Sequence, residues 1–197
     1  MSDYGWGNAG FDFLDLDNDG TDDAAYKAMD LDGDNIRDDI YVEMDVDGDG
    51  YSDSSIQGVD FDDDGIVDSI FGQFDTDGDG HTDTSVNMED ADGDGIIDNI
   101  YAEVDIDEDG VTDSVIEGLD YDGDGILDEI SMAVDYDGDG VMDEFFMAVD
   151  NNGDGYADEV AYGVDYDGDG IIDAVYGEMD LDYDGYADIS YDNDGLI

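Results

Sequence analysis

Polar and apolar residues alternate in blocks along this chain. Nine residues rich in Asp and Gly are followed by six rich in Val, Ile, Tyr and Phe, as in Asp135–Asp143 and the Glu-Phe-Phe-Met-Ala-Val that comes after it. The pair of blocks recurs every fifteen residues from Asp15 to Tyr191 without an insertion or deletion, twelve times in all. Six residues between Asp and Gly clusters are too few for a packed helix and suit a strand. Their β-branched and aromatic content suits it as well, and the absence of proline leaves every main-chain donor available to a ladder.

The columns of the repeat refine this. The eleventh position is mostly β-branched or aromatic (Ile40, Ile70, Ile100, Val115, Ile130, Phe145, Val160, Val175), and the fifteenth is almost always apolar (Met29, Met44, Val59, Phe74, Val104, Leu119, Val134, Val149, Val164, Met179). Both predict one face of a strand, while the aromatic twelfth position (Tyr26, Tyr41, Phe71, Tyr101, Phe146, Tyr176, Tyr191) predicts a second face, either a further buried layer or a lateral contact. A second pattern has a period of thirty: Ile40, Ile70 and Ile100 alternate with Ala25, Ser55 and Ser85, and the alternation fades after about residue 135.

Repeats this short stack upon one another and do not form separate cores. The fold class they imply is all-β, a parallel β-solenoid of twelve fifteen-residue repeats, with two repeats per turn as the reading of the thirty-residue pattern and one repeat per turn as the alternative. Residues 1–14 read as a degenerate N-terminal cap, with Tyr4, Trp6, Phe11 and Phe13 over the end of the stack, or as a docking segment. Residues 15–191 form the solenoid, and 192–197 a truncated half-loop.

Charge changes the picture. The chain carries 63 Asp and Glu against Lys27 and Arg37, a formal net charge of -61. Two carboxylates about 4 Å apart repel by roughly 4 kcal/mol even at an effective dielectric near 20. A cation must bind for such a chain to become compact. A disordered acidic tail is the ordinary outcome of high charge with few aromatics, but 40% hydrophobic and 11% aromatic residues argue against it. Nucleic acid is excluded as a partner because binding its phosphates needs Lys and Arg. No run of about 18 apolar residues predicts membrane insertion, no basic-apolar leader opens the chain, and no cysteine is present.

The nine-residue block holds the candidate chemistry. Its first position is Asp15, Asp30, Asp45, Asp60, Asp75, Asp90, Asp105, Asp120, Asp135, Asp150, Asp165 and Asp180. Its third is Asp17, Asp32, Asp47, Asp62, Asp77, Asp92, Asp107, Asp122, Asp137, Asp167 and Asp182, with Asn152 in the tenth copy. The fifth is Asp19, Asp34, Asp49, Asp64, Asp79, Asp94, Asp109, Asp124, Asp139, Asp154, Asp169 and Asp184. The ninth is Asp23, Asp38, Asp53, Asp68, Asp83, Asp98, Asp113, Asp128, Asp143, Asp158, Asp173 and Asp188, and the final segment offers Asp192 and Asp194. Oxygen-only ligands around a sharp turn at a sixth-position glycine specify a hard cation with a flexible shell, Ca²⁺. Magnesium demands a tighter octahedron, and zinc prefers His or Cys, of which the chain has only His81, at a position where a backbone ligand is expected. Forty-eight ligand positions less Asn152 leave forty-seven carboxylates, which one to two Ca²⁺ per repeat would half or fully neutralise. The copies at Asp150 and at Asp30, where Asn35 replaces the glycine, are expected to be the weaker sites.

The pattern Asp-x-Asp-x-Asp-Gly-x-x-Asp resembles the first nine positions of an EF-hand loop and the calcium-binding units of thrombospondin type 3 repeats and dockerin modules. The twelfth position here is aromatic or aliphatic where an EF-hand has Glu, and six residues separate the loops where helices would stand. The resemblance therefore implies the metal and not the fold. In architecture the repeat is similar in logic to the calcium-stabilised β-roll of RTX toxins, where loops share ions.

These readings lead to an extracellular or cell-surface structural protein, prokaryotic in style. It would be a Ca²⁺-stabilised filament subunit in which copies of the chain assemble head to tail or laterally, or an adhesin stalk. The alternative is a calcium-dependent surface, mineral or ice binder, although the five threonines form no rank. No Ser-His or Cys-His pairing and no phosphate-cradling loop with its lysine points to an enzyme.

Overall fold

The structure, a computed structural model, describes residues 10–15, 20–30, 33, 37, 39–193 and 195–196. The chain divides into two compact units, Met1–Gly95 and Ile96–Ile197. The first holds β1 (Asp12–Leu14), β2 (Ala24–Met29), β3 (Asp39–Met44), β4 (Ser54–Val59), β5 (Ser69–Phe74) and β6 (Thr84–Glu89). The second holds β7 (Asn99–Val104), β8 (Ser114–Leu119), β9 (Glu129–Val134), β10 (Glu144–Val149), β11 (Glu159–Val164), β12 (Ala174–Met179), β13 (Ile189–Asp192) and β14 (Gly195–Leu196). The six-residue apolar blocks are thus the strands, and no helix occurs among the described residues.

All-β is correct, but the strands are antiparallel and not the parallel rungs of a solenoid. Within each unit every strand pairs antiparallel with the next in sequence, as in β4 with β5, where Ser54 faces Phe74 and Val59 faces Ser69. The reason lies in the loop. The ninth residue's N–H donates to the carbonyl of the last residue of the preceding strand, as in Asp53 to Met44 and Asp143 to Val134 at 2.8 and 2.7 Å. That bond brings both ends of the loop together and turns the chain back beside itself. A parallel neighbour needs a crossover of a dozen or more residues, which nine cannot supply within one sheet.

The hairpin geometry also replaces two repeats per turn as the origin of the thirty-residue pattern. Consecutive strands run in opposite directions, and a register of tenth position against fifteenth places a given repeat position on alternate faces. In the first unit Ile40, Val42 and Met44 of β3 share a face with Ser54, Ile56 and Gly58 of β4 and with Ile70, Gly72 and Phe74 of β5. Ala25, Ser55 and Ser85 therefore lie on the other face. In the second unit the pattern fades because Phe145, Met147 and Val149 make that other face apolar as well.

Apolar burial is slight: only Ala24, Ala25, Val164 and Ala174 are buried hydrophobic residues among those described. Apart from Ala25, the most enclosed side chains among the described residues are aspartates. Asp45, Asp60 and Asp135 are each 2% exposed and Asp165 is 3% exposed, all at first loop positions. The interior of this fold lies in its loops.

Candidate metal-binding loops

Each loop is built around its first aspartate. In fully described loops whose fourth residue is glycine, one carboxylate oxygen accepts its N–H and the other that of the sixth, as Asp165 does from Gly168 at 2.9 Å and Gly170 at 2.7 Å. The third carboxylate accepts from the fifth N–H and the fifth from the seventh, as in Asp49 to Asp47 and Tyr51 to Asp49. The ninth carboxylate reaches back to the second N–H, as in Tyr136 to Asp143 at 2.7 Å. All four predicted ligand positions thus turn inward, each using one or both oxygens to hold main-chain donors. Hydrogen bonds to an ionised acceptor contribute about 1.5–3 kcal/mol each.

This arrangement gathers oxygens. One ligand atom from each of Asp45, Asp47 and Asp53 lies within 4.8 Å of the others, and Asp60, Asp62, Asp68 and Asp75, Asp77, Asp83 repeat the grouping. In the loop that begins at Asp90 the cluster is Asp90, Asp92 and Asp94. Such groups could hold a metal ion. The Oδ1 atoms of Asp15 and Asp105 are buried without a hydrogen-bond partner. Both begin loops whose fourth residue is not glycine, Asn18 and Glu108. Buried acceptors ordinarily have partners, and these two oxygens are placed to accept a cation or a donor.

The electrostatics separate the positions. Asp62, Asp122, Asp167 and Asp182, all third, are held above the usual carboxylate range chiefly by the like charge of the fifth-position aspartate two residues on. Burial pushes the first-position Asp135, Asp150 and Asp165 upward, but main-chain donors outweigh it and leave all three below the usual range. Asp135, Asp150 and Asp165 are therefore built to stay ionised, and Asp62, Asp122, Asp167 and Asp182 are strained by their neighbours' charge.

The loop from Asp150 is the exception predicted from sequence. The Asn152 amide donates to both Asp158 oxygens, at 3.1 and 3.3 Å, where the other described loops have a third carboxylate. Asp17, Asp19, Asp32, Asp34, Asp38 and Asp194, with Asn35, lie outside the described residues. Asp192 ends β13, opposite Tyr176 and Gly195, and joins no nine-residue loop.

Loops thirty residues apart lie side by side at one end of the strands. Within each unit the N–H of a first residue donates to the carbonyl of the ninth residue two repeats earlier, as in Asp75 to Asp53 at 2.7 Å and Asp150 to Asp128 at 2.8 Å. A β-carbon placed on Gly153 would lie 3.8 Å from Asp124 Oδ2 and 4.0 Å from Asp122 Oδ2. Carboxylates of one loop thus reach the backbone of the next on the same side. A cleft of about 430 Å³ between two such loops is lined by Asp62, Asp68, Asp90 and Asp92.

Two elements escaped the sequence reading. The fourth loop position is left-handed wherever described: Gly138 and Gly168 have φ of 71° and 67°, and Asp63, Glu108 and Tyr183 adopt 63°, 59° and 60°. Eight glycines and an asparagine among twelve residues in that column carried the signal. Asp39, at the start of β3, is 1% exposed and accepts the Asp60 N–H at 3.1 Å. Nothing in its column marked it, since the tenth position elsewhere varies among Ala, Ser, Thr, Asn, Glu and Ile. No family model, curated protein or solved structure matches this chain.

Proposed function

We propose that the chain is a calcium-stabilised structural repeat protein of the cell exterior, working as a filament subunit or stalk built from copies of itself. The observation that carries this reading is that first-position loop carboxylates such as Asp45 and Asp60 are among the most enclosed side chains and are gathered with other carboxylates around loop centres. An isolated buried carboxylate costs several kcal/mol even after relaxation, and a chain of net charge -61 has almost no cation of its own to offset it. A divalent ion bound by oxygen from several positions of one flexible loop is calcium chemistry. One ion per loop leaves roughly half the loop charge, and further ions fit between loops thirty residues apart, where the acidic cleft opens.

Extracellular calcium sites have dissociation constants of about 10⁻⁴ to 10⁻³ M. Sites in that range are empty inside a cell and filled outside it, so folding would be coupled to export. Regular six-residue strands repeated at a fixed spacing suit a load-bearing or spacing role. The test is circular dichroism in millimolar calcium and in excess chelator. The reading requires β-structure in the first and its loss in the second; the same spectrum in both would end it. Magnesium at equal concentration should restore much less.

A further inference from the structure

The two sides of each unit's sheet differ in charge. In the first unit, pairing of β2 to β6 puts fifteen residues on the side of Ile40, Ile56 and Phe74, and none is charged. The opposite side carries Lys27, Asp39, Glu43 and Glu89. In the second unit the side of Ile100, Ile116 and Ile130 holds eighteen residues of β7 to β12, with Glu144 and Glu178 as its acids. The Tyr136 hydroxyl donates to Glu144 at 2.8 Å. In a chain 33% charged, sides this neutral are not a matter of composition. They are also open: Ile40 is 39% exposed, Ile130 40% and Tyr176 49%.

We propose that a second copy of this chain covers the neutral side of each unit, so that two sheets pack face to face. Charge selects the occupant. A basic partner would be drawn to the carboxylates at the strand ends and on the opposite side, and it would gain nothing from an uncharged surface. For two chains of net charge -61 the first unit's side offers contact that meets no like charge, and the second unit's side meets only Glu144 and Glu178. The loops stand at the strand ends, about 10 Å from mid-strand, which is about one Debye length in physiological salt. Five strands about 4.8 Å apart and six residues long span about 24 by 20 Å. Two such surfaces bury about 1,000 Å², the lower bound for a specific complex, and the second unit contributes as much again. Two eighth loop residues add to these sides, while a third, Ile172, leans over Gly163 on the opposite side. Val67 and Leu127 lean over Gly58 and Gly118 on the neutral sides, where a β-carbon would come within 3.2 and 2.9 Å of them, so the loops widen this surface with apolar groups.

The proposal rests on the calcium reading for its conditions, and its test separates the two. Sedimentation velocity in millimolar calcium should give a two-chain mass or a multiple of it. Ile40→Glu should weaken pairing about a hundredfold or more, whereas Gln57→Glu, on the opposite side, should leave it unchanged. Because Ile40→Glu could prevent folding, single cysteines in this cysteine-free chain give an independent measure. With calcium, Ile56→Cys should react with a maleimide at least about tenfold more slowly than Gln57→Cys. A single-chain mass with a calcium-dependent β-spectrum overturns the pairing and leaves the calcium reading intact. So does a protected Ile56→Cys in a single chain, which would mean that the chain covers its own surface. A two-chain mass in which both thiols react alike also overturns it. A spectrum indifferent to calcium overturns the calcium reading instead.

Discussion

The N–H of Asp165 donates to the carbonyl of Asp143 at 2.8 Å, joining two loops whose first residues are thirty positions apart. The loop between them, Asp150–Asp158, turns at the other end of the strands, about 20 Å away across six extended residues. Coupling between metal sites should therefore skip one repeat. With Asp137 and Asp139 both changed to Asn, calcium affinity at Asp165–Asp173 is expected to fall about fivefold, a coupling near 1 kcal/mol. Affinity at Asp150–Asp158 should hardly move. Residue-resolved NMR titration reads both loops in one experiment, and an equal loss at each would contradict the hairpin arrangement.

Tyr183 occupies the left-handed fourth loop position with φ of 60°, where most repeats use glycine. A side chain there costs about 1–2 kcal/mol. Tyr183→Gly should thus stabilise the calcium-loaded protein by about 1 kcal/mol, less a little for the freer unfolded chain. Gly123→Ala, at φ of 71° in the same loop position, should destabilise it by a similar amount. Thermal unfolding at fixed calcium measures both, and opposite signs for the pair are required.

The strands and the clustering of loop carboxylates were legible in sequence for different reasons. Glu144–Val149 is a strand because its apolar run is bounded by acidic loops, and Asp45, Asp47 and Asp53 converge because their spacing is that of a known kind of cation loop. Strand direction was also written in the chain, though less plainly. Ile40 and Ile70 against Ala25 and Ser55 is the signature of one position falling alternately on two sides of an antiparallel sheet. A stack of two repeats per turn produces the same period, and only the bond from each ninth residue to the strand before it separates the two. The fade after residue 135 then has a cause: Phe145 and Met147 make both sides apolar, so the contrast disappears while the geometry continues. The carboxylates' division of labour could not be read, because first and third positions are both Asp. Their difference comes from main-chain donors that exist only once the loop is folded.

Protons should partly replace the metal. Asp62, Asp122, Asp167 and Asp182 have folded pKa values above the ordinary one, so their contribution favours folding at low pH and is lost as pH rises through the raised values. Asp135, Asp150 and Asp165 are lowered, so they favour folding above the ordinary value, about 3.9, and lose that as pH falls through their own. In excess chelator, β-structure should appear on acidification from neutrality, reach a maximum around pH 4, and decline below. Circular dichroism against pH tests this, and a flat response between pH 7 and pH 3 would refute it.

Asn152 donates to Asp158 where other described loops carry a third carboxylate, so its loop is already closed by a neutral donor. Asn152→Asp removes those bonds and places a charge beside Asp158. Without metal this loses a hydrogen bond to a charged group, about 1.5–3 kcal/mol, and adds like-charge repulsion. With calcium the added ligand should tighten the loop about tenfold, equivalent to about 1.4 kcal/mol. The variant should therefore be more stable than the parent in saturating calcium and less stable as calcium is withdrawn, so that their unfolding curves cross. Tyr156, whose N–H donates to Asp154 at 3.0 Å in the same loop, offers a local reporter through sensitised terbium emission. Its signal should rise at lower terbium in the variant, and a midpoint unchanged from the parent would remove Asn152 as the cause of a weak site.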